Sequence, residues 1–195
     1  MRGASKPRDR SRLESRALHG LIFISLRDYL ASVHGRSVEA EVTAGEPRYL
    51  LSEAYPDERF GRLVERACEV TGLPTDELLH DFGVFTAEKT FVGLYPALFA
   101  LSGSSRSFLL TVERPIHELV RTVMREASPP RLSVSESADN GISIVYTSQR
   151  RMCSLLRGLV QGTARHYGET VHIDEPTCMH RGDEACTFEL SFAGA

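Results

Sequence analysis

The chain reads as an α+β protein, with a helical N-terminal half followed by an antiparallel sheet that carries one long helix. Three observations predict this. Apolar residues recur at helical spacing through the first two thirds of the chain. Directly after Pro129-Pro130 the texture changes to alternation of apolar and polar residues. Between two such alternating runs sits Asp139-Asn140-Gly141, a strong hairpin signal. With 195 residues the chain is long enough for one domain with a full core and too short for two ordinary ones. An apolar content of 42%, a charged content of 25% and a net charge of -3 exclude general disorder and bulk nucleic-acid binding.

The first residues form a basic stretch with Arg2, Lys6, Arg8, Arg10, Arg12 and Arg16, read as a flexible tail over 1–17. It is not a secretory signal: Arg27-Asp28 cuts the apolar run Leu18 to Leu26, and no small-residue cleavage site follows. No apolar run is long enough to span a bilayer, so the expected location is cytoplasmic. Residues 18–195 are expected to form a single domain, with a helical half over about 18–128 and a sheet half over about 129–195.

The elements follow in order. Leu18, Leu21, Ile22, Leu26, Tyr29, Leu30 and Val33 predict a helix from Leu18 to His34, stopped by Gly35. Phe60, Leu63, Val64, Ala67 and Cys68 share one face of a helix from Asp57 to Thr71, which ends at Gly72. Cys68 is expected to pack there as a small hydrophobe. Pro74 opens a third helix to Phe82, where its missing donor costs nothing. An aromatic-rich helix is expected over Phe91 to Leu101, and Ser102 to Ser107 reads as a linker. A helix from Pro115 to Ala127 must stop at the proline pair. Strands are expected at Arg131 to Ser137, Gly141 to Thr147, Thr170 to Asp174 and Cys186 to Phe192, with a helix from Gln149 to Tyr167.

Two features carry chemistry. His117 shares a helix face with Val120, Met124 and Ala127, and a neutral imidazole on an apolar face is a good iron ligand. Alone, such a histidine is more often an ordinary core residue. The second feature is Tyr146-x-Ser148-x-Arg150. At strand period these three donors project from one face, a row suited to gripping a pair of carboxylates.

Together, His117, the Pro129-Pro130-Arg131-Leu132 break, the hairpin and Y-x-S-x-R resemble the H-NOX (haem nitric oxide/oxygen binding) family. The resemblance begins at His19-Gly20-Leu21-Ile22-Phe23 and runs to the C-terminus. It implies an H-NOX-like fold with haem b buried between the two halves. It makes His117 the proximal ligand of the haem iron, and Tyr146, Ser148 and Arg150 the propionate clamp. Pro130 would distort the haem, and Ile22 would line the distal pocket. Glu113-Arg114-Pro115-Ile116-His117 departs from the family's commoner Asp-x-x-His approach.

Oxygen-binding members place a distal tyrosine at a position that Leu155 holds here, with Leu156 and Leu159 nearby. The resemblance therefore implies a sensor for NO, with CO as a second ligand. Release of His117 on NO binding would move the helical half against the sheet half. The output would pass to a separate signalling protein, such as a histidine kinase or a cyclic-di-GMP enzyme. No nucleic acid and no membrane span enter this reading.

With no secretory signal, a disulfide framework among Cys68, Cys153, Cys178 and Cys186 is not expected. Some H-NOX proteins place a structural zinc on three cysteines and a histidine. The resemblance assigns Cys153, Cys178 and Cys186 to such a site, with Glu175 where the histidine stands and His172 or His180 as substitutes. Three thiols without metal remain the other reading.

The segment Cys178 to Cys186 also resembles the end of vinyl-reductase-like small-molecule-binding modules, which would hold an organic ligand and no iron. A haem-free interaction domain is a further alternative. No nucleophile elbow, phosphate loop or paired-carboxylate motif points to an enzyme.

Overall fold

The computed structural model describes residues 17–112 and 130–193. The basic tail, His117 with its expected helix from Pro115 to Ala127, and Pro129 lie outside the described residues.

Strand β1 (Ala17–His19) leads into α1 (Gly20–Tyr29), whose N-terminus is capped by His19 Nδ1 accepting the Leu21 N–H at 3.0 Å. The expected continuous helix from Leu18 is thus a strand, a helix and a π-helical turn, Leu30–His34. Pairing decides its start: β1 runs antiparallel to β2 (Ala54–Pro56), a partner too distant for a local pattern to reveal. Helix α2 (Arg36–Val42) follows, an element the sequence reading did not contain. Helix α3 (Asp57–Thr71) matches its expected bounds and ends on Gly72 at φ 75, a left-handed stop.

Helix α4 (Thr75–Phe85) runs past Phe82 into a second π-helical turn, Thr86–Phe91. That turn is tied to α1 by hydroxyls: buried Ser25 Oγ lies 2.9 Å from buried Thr86 Oγ1 and 2.8 Å from the half-buried Thr90 Oγ1. The expected helix over Phe91 to Leu101 is divided into α5 (Val92–Leu94) and α6 (Pro96–Ser102), because Tyr95 leaves the helical region before Pro96. Of the expected linker, Ser102 closes α6 and the second half opens helix α7 (Ser105–Val112). Its first residue is held from outside, with the Ser105 N–H and hydroxyl both donating to Glu169 Oε2, and Phe108 and Leu109 are buried.

The C-terminal half is a four-stranded antiparallel sheet in the order β3-β4-β6-β5, with β3 (Arg131–Glu136), β4 (Ile142–Thr147), β5 (Thr170–Thr177) and β6 (Cys186–Ala193). Asp139 at φ 54 and Asn140 at φ 61 make the β3–β4 turn, a left-handed geometry these two residue types tolerate best after glycine. Helix α8 (Cys153–His166) follows β4 and packs between the halves.

Two apolar clusters result. One joins Phe23, Leu26, Tyr29, Phe60, Leu63 and Phe82 of the helical half with Leu155. The other joins Ile142, Ile144, Tyr146, Phe188 and Leu190 of the sheet with Phe99, Leu156 and Val160. Helix α8 feeds both, turning Leu155 to the first and Leu156 and Val160 to the second. Glycines let α8 sit directly on α4: a Cβ on Gly158 would lie 2.0 Å from the His80 carbonyl oxygen. No described helix is long and apolar enough to cross a membrane.

Candidate functional site

The strand period expected to align Tyr146, Ser148 and Arg150 ends at Thr147, where β4 stops. The next residues form a turn in which Arg151 takes φ 51. The three side chains are brought together by this turn. Tyr146 is buried against the sheet core and its hydroxyl accepts the Met152 N–H at 3.2 Å. Burial pushes that hydroxyl's pKa up, so it stays a neutral donor and acceptor. Ser148 Oγ accepts the Arg150 N–H at 3.2 Å.

Arg150 reaches out of the sheet half. Its Nε and Nη2 donate to Asp57 Oδ2 and Oδ1 at 2.7 and 2.8 Å, a two-point grip on a carboxylate. Nη2 also donates to the Ala17 carbonyl at 3.2 Å. Arg150 therefore ties the turn before α8 to the first turn of α3 and to β1. Asp57 is well placed for this, since a carboxylate at a helix N-terminus is favoured by the helix dipole. The sequence reading used Asp57 only as a helix boundary. Ninety-three residues separate the pair, so no local pattern marks it.

Ile22 on α1 is half-buried against the helical cluster, and Leu155 is buried in that same cluster. Leu156, expected beside it, faces the sheet cluster instead. Successive helical residues point about 100° apart, so the two cannot share a wall. Pro130 is half-buried immediately before β3.

A second constellation lies behind the turn. One ligand atom from each of Cys153, Glu175, Cys178 and Cys186 falls within 4.8 Å of all the others. Cys153 comes from the start of α8, Glu175 from β5, Cys178 from the loop after β5 and Cys186 from the start of β6. Cys178 Sγ stands 3.8 Å from both Cys153 Sγ and Cys186 Sγ. That is too long for a disulfide, and all the cysteines are free thiols. It is close to the edge of a tetrahedron with about 2.3 Å metal–sulfur bonds, roughly 3.8 Å. Glu175 Oε1 is buried without a hydrogen-bond partner among the described residues. Glu175 Oε2 accepts from Arg157 Nη2. His172 and His180 are exposed and do not join the cluster. His180 is spent on the turn, its Nε2 lying 2.7 Å from the Arg151 carbonyl. The sequence reading missed Arg157, which lies on α8 one helical turn after Cys153.

Burial pushes the Cys153 thiol up to about 12 and the Cys186 thiol upward, so without a cation these groups stay protonated. Cys68 packs against the helical core but stays partly exposed, with Sγ 3.6 Å from Thr75 Oγ1. With a chelator present at pH 8, iodoacetamide is expected to alkylate Cys68 well before the three clustered cysteines. Peptide mass mapping over time reads the order, and early labelling of Cys153 would contradict its burial and raised pKa.

The comparisons with known proteins agree with this architecture. The structure of an H-NOX protein from S. oneidensis in the Fe(II)NO ligation state superposes with a TM-score of 0.82 at 23% identity, covering 91% of this chain and all of that one. The unliganded Fe(II) H-NOX protein from K. algicida gives 0.77 at 22% identity, over 91% of this chain and 98% of its own. A mutant H-NOX of T. Tengcongensis gives 0.80 at 22% identity, with the same coverage of both chains. No curated protein sequence matches. The family model described as haem-NO-binding matches residues 19–175, most of the chain. The fold is that of H-NOX proteins, and the chain belongs to the haem-NO-binding family.

Proposed function

We propose that this chain is a haem-based gas sensor that binds NO and CO and passes the signal to a separate protein. The observation that carries the reading is the two-point carboxylate grip of Arg150 beside Tyr146 and Ser148, in a chain of the haem-NO-binding family. The fork that grips Asp57 has the two-point geometry that a propionate needs, and a propionate gripped in this way would take the place of Asp57. Solved relatives from S. oneidensis in Fe(II)NO and Fe(II)CO states support the choice of ligands.

Haem would supply a ferrous iron able to take a diatomic gas. The chain's residues do the rest. His117 would hold the iron through an imidazole nitrogen. Tyr146, Ser148 and Arg150 would hold the propionates. Ile22 and Leu155 would line the gas-binding pocket with apolar surface that offers a polar bound oxygen no hydrogen-bond donor. Pro130 would press on the haem and distort it. Residues 18–195 act as one binding unit, with the helical half and the sheet half meeting at Arg150. A shift of one half against the other is the output that a partner, such as a histidine kinase or a cyclic-di-GMP enzyme, would read. The module binds and switches, and no catalytic residue is assigned.

The cluster of Cys153, Cys178, Cys186 and Glu175 is proposed as a structural zinc site. Its support is the four convergent ligand atoms and the sulfur spacing. Three thiolates and a carboxylate suit zinc, although a carboxylate is the less common fourth ligand.

Absorption spectra of the reduced protein, expressed with a haem supply and kept free of oxygen, test the sensor reading. A five-coordinate ferrous spectrum that shifts with NO and CO and not with air is expected. His117→Ala should lose haem unless imidazole is added. Folded protein that retains no haem would sink the reading in favour of a small-molecule-binding or haem-free interaction module. A stable complex in air would mean a distal donor and remove the preference for NO.

A further inference from the structure

We infer that Arg157 is a built-in charge partner of the thiol–carboxylate cluster, allowing Glu175 to serve where a neutral ligand would otherwise stand. The inference rests on the zinc reading above and concerns residues outside the haem clamp. Glu175 has its two carboxylate oxygens in different situations. Oε2 is held by Arg157 Nη2, while Oε1 is buried, without a hydrogen-bond partner among the described residues, and the carboxylate offers one oxygen within 4.8 Å of the three sulfurs. A buried carboxylate oxygen with no donor is costly unless a cation meets it. Arg181 Nη2 fixes the main chain at this point by donating to the Glu175 carbonyl at 2.6 Å.

The charge count explains why an arginine accompanies the carboxylate. Three thiolates with a neutral imidazole leave one negative charge in excess around a divalent ion. Three thiolates with a carboxylate leave two. A second uncompensated charge in a buried site is unfavourable. Arg157 returns one positive charge, restoring the balance that a neutral fourth ligand would give. By occupying Oε2 it also leaves Oε1 as the oxygen without a hydrogen-bond partner among the described residues, so the carboxylate is set to bind through that one atom. Arg157 is a positioning residue, acting on the metal only through Glu175. Its side chain is 42% exposed, so its removal should leave the fold intact.

Zinc affinity measured by chelator competition, and cobalt absorption, on the full chain and on Arg157→Ala, Glu175→Gln and the double variant test this. The expected wild-type cobalt spectrum has thiolate-to-metal charge-transfer bands and intense tetrahedral ligand-field bands. Arg157→Ala is expected to weaken zinc binding by about tenfold or more, the usual range for an outer-shell partner. On the Glu175→Gln background the same change should cost less than about threefold, because the excess charge is already gone. Arg157→Lys should recover part of the loss. Equal losses on both backgrounds, or no loss on either, would overturn the charge-partner role while leaving zinc in place. Wild-type protein that binds neither metal would overturn both this inference and the zinc reading. Haem spectra of the same samples report on the sensor reading independently.

Discussion

Arg150→Ala is expected to destabilise the protein by about 3 kcal/mol and to sharply lower haem retention. The guanidinium grips Asp57 through both oxygens, and the two side chains are only 10% and 16% exposed. Removing the cation leaves a largely buried carboxylate without its main partner. Breaking a buried pair is far worse than lacking a surface one, and the remaining exposure places the cost at the lower end of the usual range. For a chain of this size the loss corresponds to roughly 6–12 °C in Tm. The variant also severs the link from the turn before α8 to α3 and β1. Arg150→Lys keeps the charge but not the fork, so it should recover only part of both losses. Thermal melting and the haem-to-protein absorbance ratio check this. Normal haem loading in Arg150→Ala would remove that residue from the clamp.

Gly158→Ala is expected to cost about 3 kcal/mol, and Gly61→Ala to stabilise the protein by about 0.5–1 kcal/mol. Both glycines are helical, so alanine raises intrinsic helix propensity at each. Space decides the sign. A Cβ at Gly61 on α3 meets nothing within 4 Å. A Cβ at Gly158 would stand 2.0 Å from a backbone oxygen of α4, which cannot rotate away. A Cβ on Gly83 or Gly162 would also meet backbone at the same crossing, at 2.4 and 2.5 Å from backbone oxygens. The two helices must therefore separate, opening the contact on which Leu155 and the two apolar clusters rest. Matched melts of the two variants read the difference. A Gly158→Ala melt at or above wild type would show that α4 and α8 are not pressed together.

Much was legible in the sequence where the signal is local. Helix α3 has its expected ends because Gly72 takes the left-handed stop and the apolar face repeats within one element. The β3–β4 hairpin was legible for the same reason, its turn residues being those that accept positive φ. The expected linker at Ser102 to Ser107 failed because glycine and serine signal a break only where no distant group caps them. Here Glu169 holds Ser105 and starts α7.

The candidate site divides along the same line. Residue types at strand spacing marked Tyr146, Ser148 and Arg150 as a row able to grip carboxylates, and the family resemblance marked Cys153, Cys178, Cys186 and Glu175 as a set able to hold a metal. Only the tertiary structure decided that Arg150 is shared with Asp57 and that Glu175 completes the thiol cluster. It also decided that Arg157 stands behind Glu175 and that His180 serves the Arg151 carbonyl. Chemical identity and local spacing are properties of the chain and survive without a fold. The meeting of α3 with the turn before α8, and of β5 with the start of α8, depends on how two apolar clusters pack against a single helix.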